Sequence, residues 1–130
     1  MKFCAVIIFL LFTAPLLAQS DTTDSVRVVY GVASFYSASL QGTKTSTGEK
    51  FDHDLPTAAS NNFKLGTWVR ITNLRNGKSV VVRINDRMHK SMAKKGRVVD
   101  VTKSAAVKLD FVKRGLTRVK VEEVPKGTEE

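Results

Sequence analysis

The sequence is poor in the residues that staple small domains together. Its 130 residues contain one Cys and three Pro. A single thiol excludes a disulfide framework within the chain and a zinc site with four Cys ligands. The length allows one domain and excludes most two-domain enzymes, including a complete dinucleotide-binding architecture. The fold must therefore rest on packed apolar side chains, and 42% of the residues are apolar.

The amino end has the form of a secretory signal peptide. Lys2 gives a positive start, residues 3–12 form an unbroken apolar run, and a small residue stands at the expected cleavage after Ala18. The apolar run is shorter than the roughly 20 residues that span a bilayer. We therefore expect residues 1–18 to be removed with Cys4, which leaves a periplasmic or secreted protein without a membrane anchor. An uncleaved amino-terminal anchor is the alternative.

Acidic residues are outnumbered, with 12 Asp and Glu against 21 Lys and Arg, and the formal net charge is +9. Between Lys44 and Lys120 the local excess is +12, because 18 basic residues accompany 6 acidic ones. Such a field attracts polyanions. Nucleic acid is disfavoured as the partner, since export argues against it and the strands lack aromatic pairs for base stacking. Anionic polymers of the cell envelope fit better, and a basic face that serves only solubility is an equal alternative.

After a polar linker at 19–27, short β-rich segments occupy residues 28–124, and a polar tail follows at 125–130. Alternation of apolar and polar residues predicts strands, Asn-Gly predicts a tight hairpin, and a Thr before a short amphipathic stretch predicts a capped helix. The predicted elements are strands at Val26–Tyr36 (with a possible break at Gly31), Thr67–Asn73, Ser79–Asn85, Arg97–Val101 and Leu116–Val124, a turn at Asn76-Gly77, and a helix over Lys103–Leu109 capped by Thr102. This set predicts a small single-domain β-barrel.

Three pairs of stretches carry more than generic barrel sequence. They are GVASFY at 31–36 with TSTGEKFD at 45–52, LPTAAS at 55–60 with LGTWVRITN at 65–73, and VVRINDR at 81–87 with GRVVDVTKSAA at 96–106. In order and spacing they resemble the rare lipoprotein A family. The resemblance implies an all-β fold with one short helix, a six-stranded double-psi β-barrel. It also implies an exported protein that acts on the glycan strands of peptidoglycan.

Family members credited with enzyme activity are lytic transglycosylases, and such an enzyme must carry out two proton transfers. The glycosidic oxygen between N-acetylmuramic acid and N-acetylglucosamine must be protonated, and the 6-hydroxyl of the muramic sugar must then lose its proton and close on the anomeric carbon. One carboxyl group can perform both transfers. A second polar group would stabilise the oxocarbenium-like charge. We expect a monomer with no cofactor and no metal.

Two acidic residues are the candidate catalysts. Asp86 follows a buried-looking strand and matches the Asp of the family's Asn-Asp-Arg motif, while Glu49 matches the Glu of its Gly-Glu-x-Phe motif. The flanking Arg83 and Arg87 are expected to lower the pKa of Asp86, which favours a role as base or electrostatic stabiliser over general acid. For both carboxylates the alternative is a structural ion pair or turn.

The sequence departs from the family at Ser60, where members taken to be active have a His. Because Ser cannot titrate near neutral pH, the chain either cleaves without this imidazole or binds glycan without cutting it. His89 could supply the imidazole, although an exposed loop position is favoured, and His53 is expected at the surface. Asp100 matches a third family motif, and we expect it to serve mainly the amino end of the predicted helix.

Four side chains are expected to bind substrate. Tyr36 offers a hydroxyl, and Arg83 and Arg87 could hold the muramic lactyl group or a peptide carboxylate. Trp68 is expected on the outer face of its strand, where it would stack on a sugar ring or cover one end of the barrel. The leading hypothesis is a lytic transglycosylase, the second is a non-catalytic polysaccharide-binding barrel, and the third is an inhibitor or interaction module with a basic surface.

Overall fold

The structure, a computed structural model, describes residues 26–130. The predicted signal peptide and most of the predicted linker lie outside these residues. The elements in chain order are β1 (Val28–Phe35), a short 3-10 helix (Ala38–Leu40), β2 (Thr57–Ala59), β3 (Trp68–Asn73), β4 (Ser79–Asp86), α1 (Lys90–Lys94), β5 (Arg97–Val101), α2 (Lys103–Leu109) and β6 (Thr117–Val124).

The six strands close into one barrel in the order β1-β5-β2-β4-β3-β6. β1 is parallel to β5 and β2 is parallel to β4, whereas the other four neighbouring pairs are antiparallel. Parallel neighbours cannot be joined by a tight hairpin, so the chain needs crossover connections between them. The predicted six-stranded, all-β barrel is confirmed.

The barrel interior is filled by the inward-facing side chains of alternating strand positions. In β3, Val69 and Ile71 are fully buried while Trp68 and Arg70 are half-buried, which is the period of two that the sequence predicts. The helix α2 adds its apolar face to the same core. The fully buried core members with the largest side chains include Val69, Ile71, Val80, Val82, Ile84, Val99, Val101, Leu109, Phe111, Val119 and Val121.

A second apolar cluster, formed by Tyr36, Phe51, Ala59 and Met88, lies apart from this core. Ala58 belongs to the barrel core and Ala59 to the second cluster. Because neighbouring residues of a strand point to opposite faces, the second cluster covers the outer face of β2. The rings of Tyr36 and Phe51 stack with their centroids 4.1 Å apart. This outer cluster holds the segment after β1 against the wall where the candidate carboxylates are found.

Three short elements were not predicted from the sequence, namely the 3-10 helix, β2 and α1. β2 is only three residues long and all three are buried, so it shows no alternation of apolar and polar positions. The helix α1 has five residues and none of them is buried, so it has no apolar stripe.

The first turn of α2 is capped by a different side chain from the one that the sequence predicted. Thr102 is the N-cap residue, as expected, but its hydroxyl donates to the carbonyl of Leu55 at 2.6 Å and makes no capping bond. The backbone N–H of Lys103 instead donates to Nδ1 of His53 at 3.1 Å. His53 is therefore a half-buried structural residue and not the surface residue that the sequence predicted.

β1 continues unbroken through Gly31, where β5 passes very close to it. A Cβ atom at Gly31 would lie 2.4 Å from Cγ1 of Val98 and 3.0 Å from the carbonyl oxygen of Gly96. Both distances are shorter than a normal contact, so a side chain at this position must displace the Val98 side chain or move the two strands apart.

We predict that Gly31→Ala lowers the free energy of unfolding by about 1 to 3 kcal/mol, the usual cost of overpacking a well-filled site. Urea denaturation followed by circular dichroism measures this loss. Adding Val98→Ala removes the closest methyl group, so the double variant should regain part of the stability relative to the sum of the single changes. A Gly31→Ala protein as stable as the wild type would contradict the close approach of β1 and β5.

Candidate active site

Strand register brings two carboxylates to either side of one small residue. Ala59 of β2 pairs with Asp86 of β4 on one side and with Asp100 of β5 on the other. Asp100 in turn pairs with Ser34 of β1. Residues opposite each other on neighbouring strands project from the same face, so these four side chains form a row across the outer wall. Between the two carboxylates this row contains only the methyl group of Ala59.

The Asp86 carboxylate is half-buried and accepts hydrogen bonds from four donors. The hydroxyl of Tyr36 donates to Oδ2 at 2.6 Å. The backbone N–H and the hydroxyl of Ser46 donate to Oδ1 at 2.9 and 2.8 Å. The backbone N–H of Arg87 donates to the same oxygen at 2.9 Å. Four donors favour the ionised form of Asp86, because an ionised carboxylate can only accept hydrogen bonds.

The pKa of Asp86 lies below its usual range for a reason that the sequence did not reveal. Burial raises this pKa, but the hydrogen bonds from Tyr36, Ser46 and the backbone of Arg87 together lower it further than burial raises it. The direction matches the sequence prediction. The predicted cause, the guanidinium groups of Arg83 and Arg87, was wrong.

The two arginines are occupied elsewhere. Arg83 binds the carboxylate of Glu49 through both terminal nitrogens, at 2.7 and 2.6 Å. Nη1 of Arg87 donates to the carbonyl of Ser60 at 2.6 Å and also to the carbonyl of Phe63. Arg87 therefore ties down backbone beside the site, and only Arg83 presents its charge next to a candidate catalyst.

Glu49 forms an ion pair with Arg83. The hydrogen bond from Arg83, followed by one from the Thr47 hydroxyl at 2.8 Å, lowers the pKa of Glu49 to about 2. The loop that carries Glu49 also carries Ser46, which binds Asp86, so both predicted carboxylates are held by one loop. Glu49 cannot donate a proton at ordinary pH, and its evident role is to orient the guanidinium of Arg83.

Asp100 has the opposite electrostatic character. It is 9% exposed, and the Ser34 hydroxyl donates to its Oδ1 at 3.1 Å. Burial raises the pKa of Asp100 to about 6, and the negative charge of Asp86 adds to this effect, while Ser34, Arg97 and His53 oppose it. The sequence predicted a structural role for Asp100 at the helix terminus, but its side-chain hydrogen bond is with Ser34 of β1. The sequence feature that indicates burial of Asp100 is its place within a run of valines.

Tyr36 serves Asp86 and does not offer a free hydroxyl to substrate. Burial, then the hydrogen bond to Asp86 and the nearby negative charges, raise the pKa of Tyr36 far above its usual value. The phenol therefore remains protonated and always donates. Its stacking on Phe51 fixes the direction of that bond.

Neither Ser60 nor His89 replaces the imidazole that active members of the family have at position 60. Ser60 is fully buried, donates to the carbonyl of Val98 at 2.8 Å and accepts from the N–H of Asn62 at 3.1 Å. Substrate cannot reach it. His89 is exposed and caps α1, where its Nδ1 accepts from the N–H of Ser91.

His53 is a residue near the site that sequence reasoning missed. One ring nitrogen accepts from the start of α2, and Nε2 lies 3.1 Å from the carbonyl oxygen of Ser37. Its ring meets Phe51 edge-on at 4.6 Å. His53 thus links the 3-10 segment, the outer cluster and α2, and it lies close enough to Asp100 to oppose the rise in the pKa of that carboxyl. No pattern in the sequence pointed to these contacts.

A groove of about 170 Å³ runs beside the Glu49–Arg83 pair. Trp68 pairs in register with Arg83 and is half-buried, with its indole on the outer face of β3. This is the position that the sequence predicted for a sugar-stacking side chain. The groove is lined by Leu55, Pro56, Thr57, Trp68, Val81, Val82 and Arg83.

Within residues 26–130, no three His, Cys, Asp or Glu side chains come together in a way that could hold a metal ion. The part of the chain that the structure describes also contains no helix of the length and apolarity needed to cross a bilayer.

Solved structures identify the class of the barrel. Apo expansin from Clavibacter michiganensis superposes with a TM-score of 0.61 at 19% identity, over 79% of this chain and 53% of that one. The Streptomyces papain inhibitor gives a TM-score of 0.60 at 19% identity, over 76% and 96%. At such identities the likeness shows the fold alone. The protein is a double-psi β-barrel, as the resemblance implied.

Sequence comparison then defines the family. A family model described as lytic transglycolase matches residues 28–121. The endolytic peptidoglycan transglycosylase RlpA of Neisseria meningitidis serogroup B is 44% identical over 99 residues, which cover 75% of this chain and 39% of that protein. The probable endolytic peptidoglycan transglycosylase RlpA of Treponema pallidum is 46% identical over 96 residues, or 74% and 29%. The chain belongs to the lytic transglycolase family, and it spans less than two fifths of the length of these relatives.

We predict that Asp100→Asn stabilises the protein at pH 7 and not at pH 4. The folded pKa of about 6 exceeds the unfolded value of about 3.9, so the folded state binds more protons and loses stability as pH rises between them. Removing the charge should raise the free energy of unfolding at pH 7 by about 2 to 3 kcal/mol. Urea denaturation at both pH values measures the change.

The matched control is Asp110→Asn, because Asp110 is exposed at the end of α2 with φ of 56°, a conformation that Asn also accepts. This variant should change stability by less than about 0.5 kcal/mol at either pH. An equal gain at pH 4 and pH 7 for Asp100→Asn would show that the ionised carboxylate is not strained by burial.

We further predict that Tyr36→Phe raises the pKa of Asp86, because the shortest of its hydrogen bonds is lost while burial persists. Carboxyl carbon NMR across pH 2 to 7 measures this upward shift of the Asp86 pKa. An unchanged Asp86 titration would mean that the Tyr36 hydroxyl does not donate to this carboxylate in solution.

Proposed function

We propose that the protein is an exported lytic transglycosylase of peptidoglycan. It would cleave the bond between N-acetylmuramic acid and N-acetylglucosamine and leave 1,6-anhydro-muramoyl ends. The observation that carries this proposal is Asp86, a half-buried carboxylate that four donors hold in the ionised state at the end of β4. The names of the related proteins support the same activity. Export rests on the signal-like residues 1–18.

An ionised, fixed carboxylate suits the charge that develops in this reaction. As the glycosidic bond breaks, positive charge appears at the anomeric carbon and ring oxygen, and a nearby carboxylate stabilises it. The same carboxylate can accept the proton of the 6-hydroxyl as that oxygen closes on the anomeric carbon. Asp86 is already surrounded by oriented donors, so little reorganisation is needed when the charge forms.

The surroundings of Asp86 support binding of a glycan. The groove beside Arg83 presents the outward indole of Trp68, and a flat aromatic ring packs well against a sugar. Asp86 lies three residues beyond Arg83 on β4, which is about 10 Å along an extended strand. The positive net charge attracts the anionic wall polymer over longer distances.

A second function, glycan binding without cleavage, is favoured by one observation. Ser60 stands where active members of the family have a His, and it is fully buried with its hydroxyl bonded to backbone. No titratable side chain replaces the imidazole at that position. If cleavage needs this imidazole, the barrel retains the groove and the carboxylates but acts as a polysaccharide-binding protein.

We predict that the exported protein, incubated with purified glycan strands, releases fragments with 1,6-anhydro-muramoyl ends, which mass spectrometry detects. Asp86→Asn should lower the rate at least about 100-fold, because it removes the charge at the reacting centre. Asp110→Asn, an exposed acid far along the chain from the site, should leave the rate unchanged.

The competing function gives a different result in the same assay. Wild-type protein that sediments with the glycan and releases no anhydro ends would establish a binder, and Ser60→His would then be the variant to test for gained cleavage. An Asp86→Asn protein as active as the wild type would remove Asp86 from the mechanism.

A further inference from the structure

Another cavity lies on the side of the barrel away from the candidate active site. It has a volume of about 390 Å³ and opens between β1, the β3–β4 hairpin, the turn after α2 and the start of β6. In the closed order of strands, β6 is the strand farthest from β2, which places Ala59 at the centre of the candidate site. The cavity shares no lining residue with the groove beside Arg83. It is therefore a separate surface that the proposed cleavage reaction does not use.

Three arginines line this cavity, which we call the arginine cavity. Arg75, Arg114 and Arg118 are all exposed. Residues 26–130 contain four ion pairs, and none of the four includes any of these arginines, so no carboxylate in this part of the chain neutralises them. Like charges gathered at one cavity repel each other, which favours the binding of an anion there. A guanidinium presents two parallel N–H donors that match the two oxygens of a carboxylate.

Exposed apolar side chains accompany the three guanidinium groups. Leu74 and Leu116 line the cavity although they are 50% and 43% exposed. Val32 lies beside Arg118 in the register of β1 and β6. Tyr30, which is 62% exposed, stands two residues before Val32 and therefore on the same face of β1. An exposed apolar patch that contains Arg and an aromatic residue is typical of a surface that binds another protein.

One buried side chain, that of Asn73, holds the walls of the arginine cavity. Its Oδ1 accepts hydrogen bonds from the hydroxyl of Thr117 at 2.8 Å and from the backbone N–H of Arg75 at 3.0 Å. Its Nδ2 donates to the carbonyl of Leu109 at 2.8 Å. Asn73 thus ties the β3–β4 hairpin to the start of β6 and to the end of α2. The cavity is formed before a partner arrives, so binding requires little ordering of these segments.

We propose that the arginine cavity binds an acidic segment of a partner protein. One large apolar side chain of that segment enters the cavity between Leu74 and Leu116, and carboxylates on either side of it bind the three guanidinium groups. The concave shape favours a protein segment over a bilayer, because a lipid surface is flat and presents no projecting group to fill the cavity. All six strands are paired in the closed barrel, so the partner binds through side chains and not as an added strand.

Amide NMR of the isotope-labelled protein tests this proposal, with the acetylated and amidated pentapeptide Glu-Glu-Leu-Glu-Glu as the probe. The amide signals of Leu74, Arg75, Leu116 and Arg118 should move and fit a Kd of roughly 0.1 to 1 mM, as for a small and partly exposed site. Replacing every Glu of the probe by Gln should weaken binding at least about fivefold, because the charge is lost. Replacing its Leu by Ala should do the same, because the side chain no longer fills the cavity.

Arg118→Glu is the variant that tests the site, and Lys90→Glu is its matched control. Both substitutions replace an exposed cation by an anion, and Lys90, at the start of α1, does not line the cavity. Arg118→Glu should weaken binding of the pentapeptide at least about tenfold, whereas Lys90→Glu should change it less than about twofold. Equal weakening by the two variants would show that the net charge alone attracts the peptide, and that result would overturn the site.

Two further outcomes overturn the proposal. The first is the absence of shifts at the cavity with the pentapeptide at about 5 mM. The second is sedimentation with phosphatidylglycerol vesicles that Arg118→Glu abolishes, together with no response to the pentapeptide, because the occupant is then a lipid surface.

The inference and the proposed function fail independently of each other. Asp86→Asn should bind the pentapeptide as tightly as the wild type does, and Arg118→Glu should release anhydro ends at the wild-type rate. A protein that binds the pentapeptide at the arginine cavity but cleaves no glycan would retain this inference and lose the transglycosylase.

Discussion

The pairing of β2 with its two neighbours is the constraint on which the site depends. Ala59 is in register with Asp86 on one side and Asp100 on the other, so a three-residue strand determines where both carboxylates lie. The register of β2 and β4 shifts between Ala58 and Ala59, and such an irregularity re-aims the side chains that follow it. A slip by one residue would turn the row from the outer wall into the barrel core.

The outer cluster positions a hydrogen-bond donor to Asp86. Phe51 stacks on Tyr36, and the position of that ring aims its hydroxyl at Asp86. The loop bearing Ser46 adds two further donors. One carboxylate is thereby rich in hydrogen bonds and its neighbour Asp100 is poor in them. The pKa of Asp86 is lowered and that of Asp100 is raised because the fold supplies hydrogen-bond donors mainly to Asp86.

Much of the barrel could be predicted from the sequence because its longer strands alternate. Four of the six strands and α2 fall within their predicted segments, β4 extends one residue beyond its segment to Asp86, and the alternation in β3 assigned Trp68 to the outer face. β2 and α1 were missed because elements of three and five residues carry too little periodicity. The capping of α2 by His53 was missed because the two partners are 50 residues apart. Contacts of that separation exist only after the chain has folded.

The site was predictable only in part for the same reason. The Asn-Asp-Arg motif identified Asp86, but three of the four donors that hold it come from 50 and 40 residues away along the chain. Neighbours in sequence suggested Arg83 and Arg87 as its partners, and both turn to other acceptors. The raised pKa of Asp100 was not predicted because its cause is burial, which the sequence indicates only weakly. Neutron diffraction from deuterated crystals at pH 5 would test the central claim most directly. Our account predicts a deuteron on the Asp100 carboxyl and none on Asp86, and the reverse arrangement, or two bare carboxylates, would contradict it.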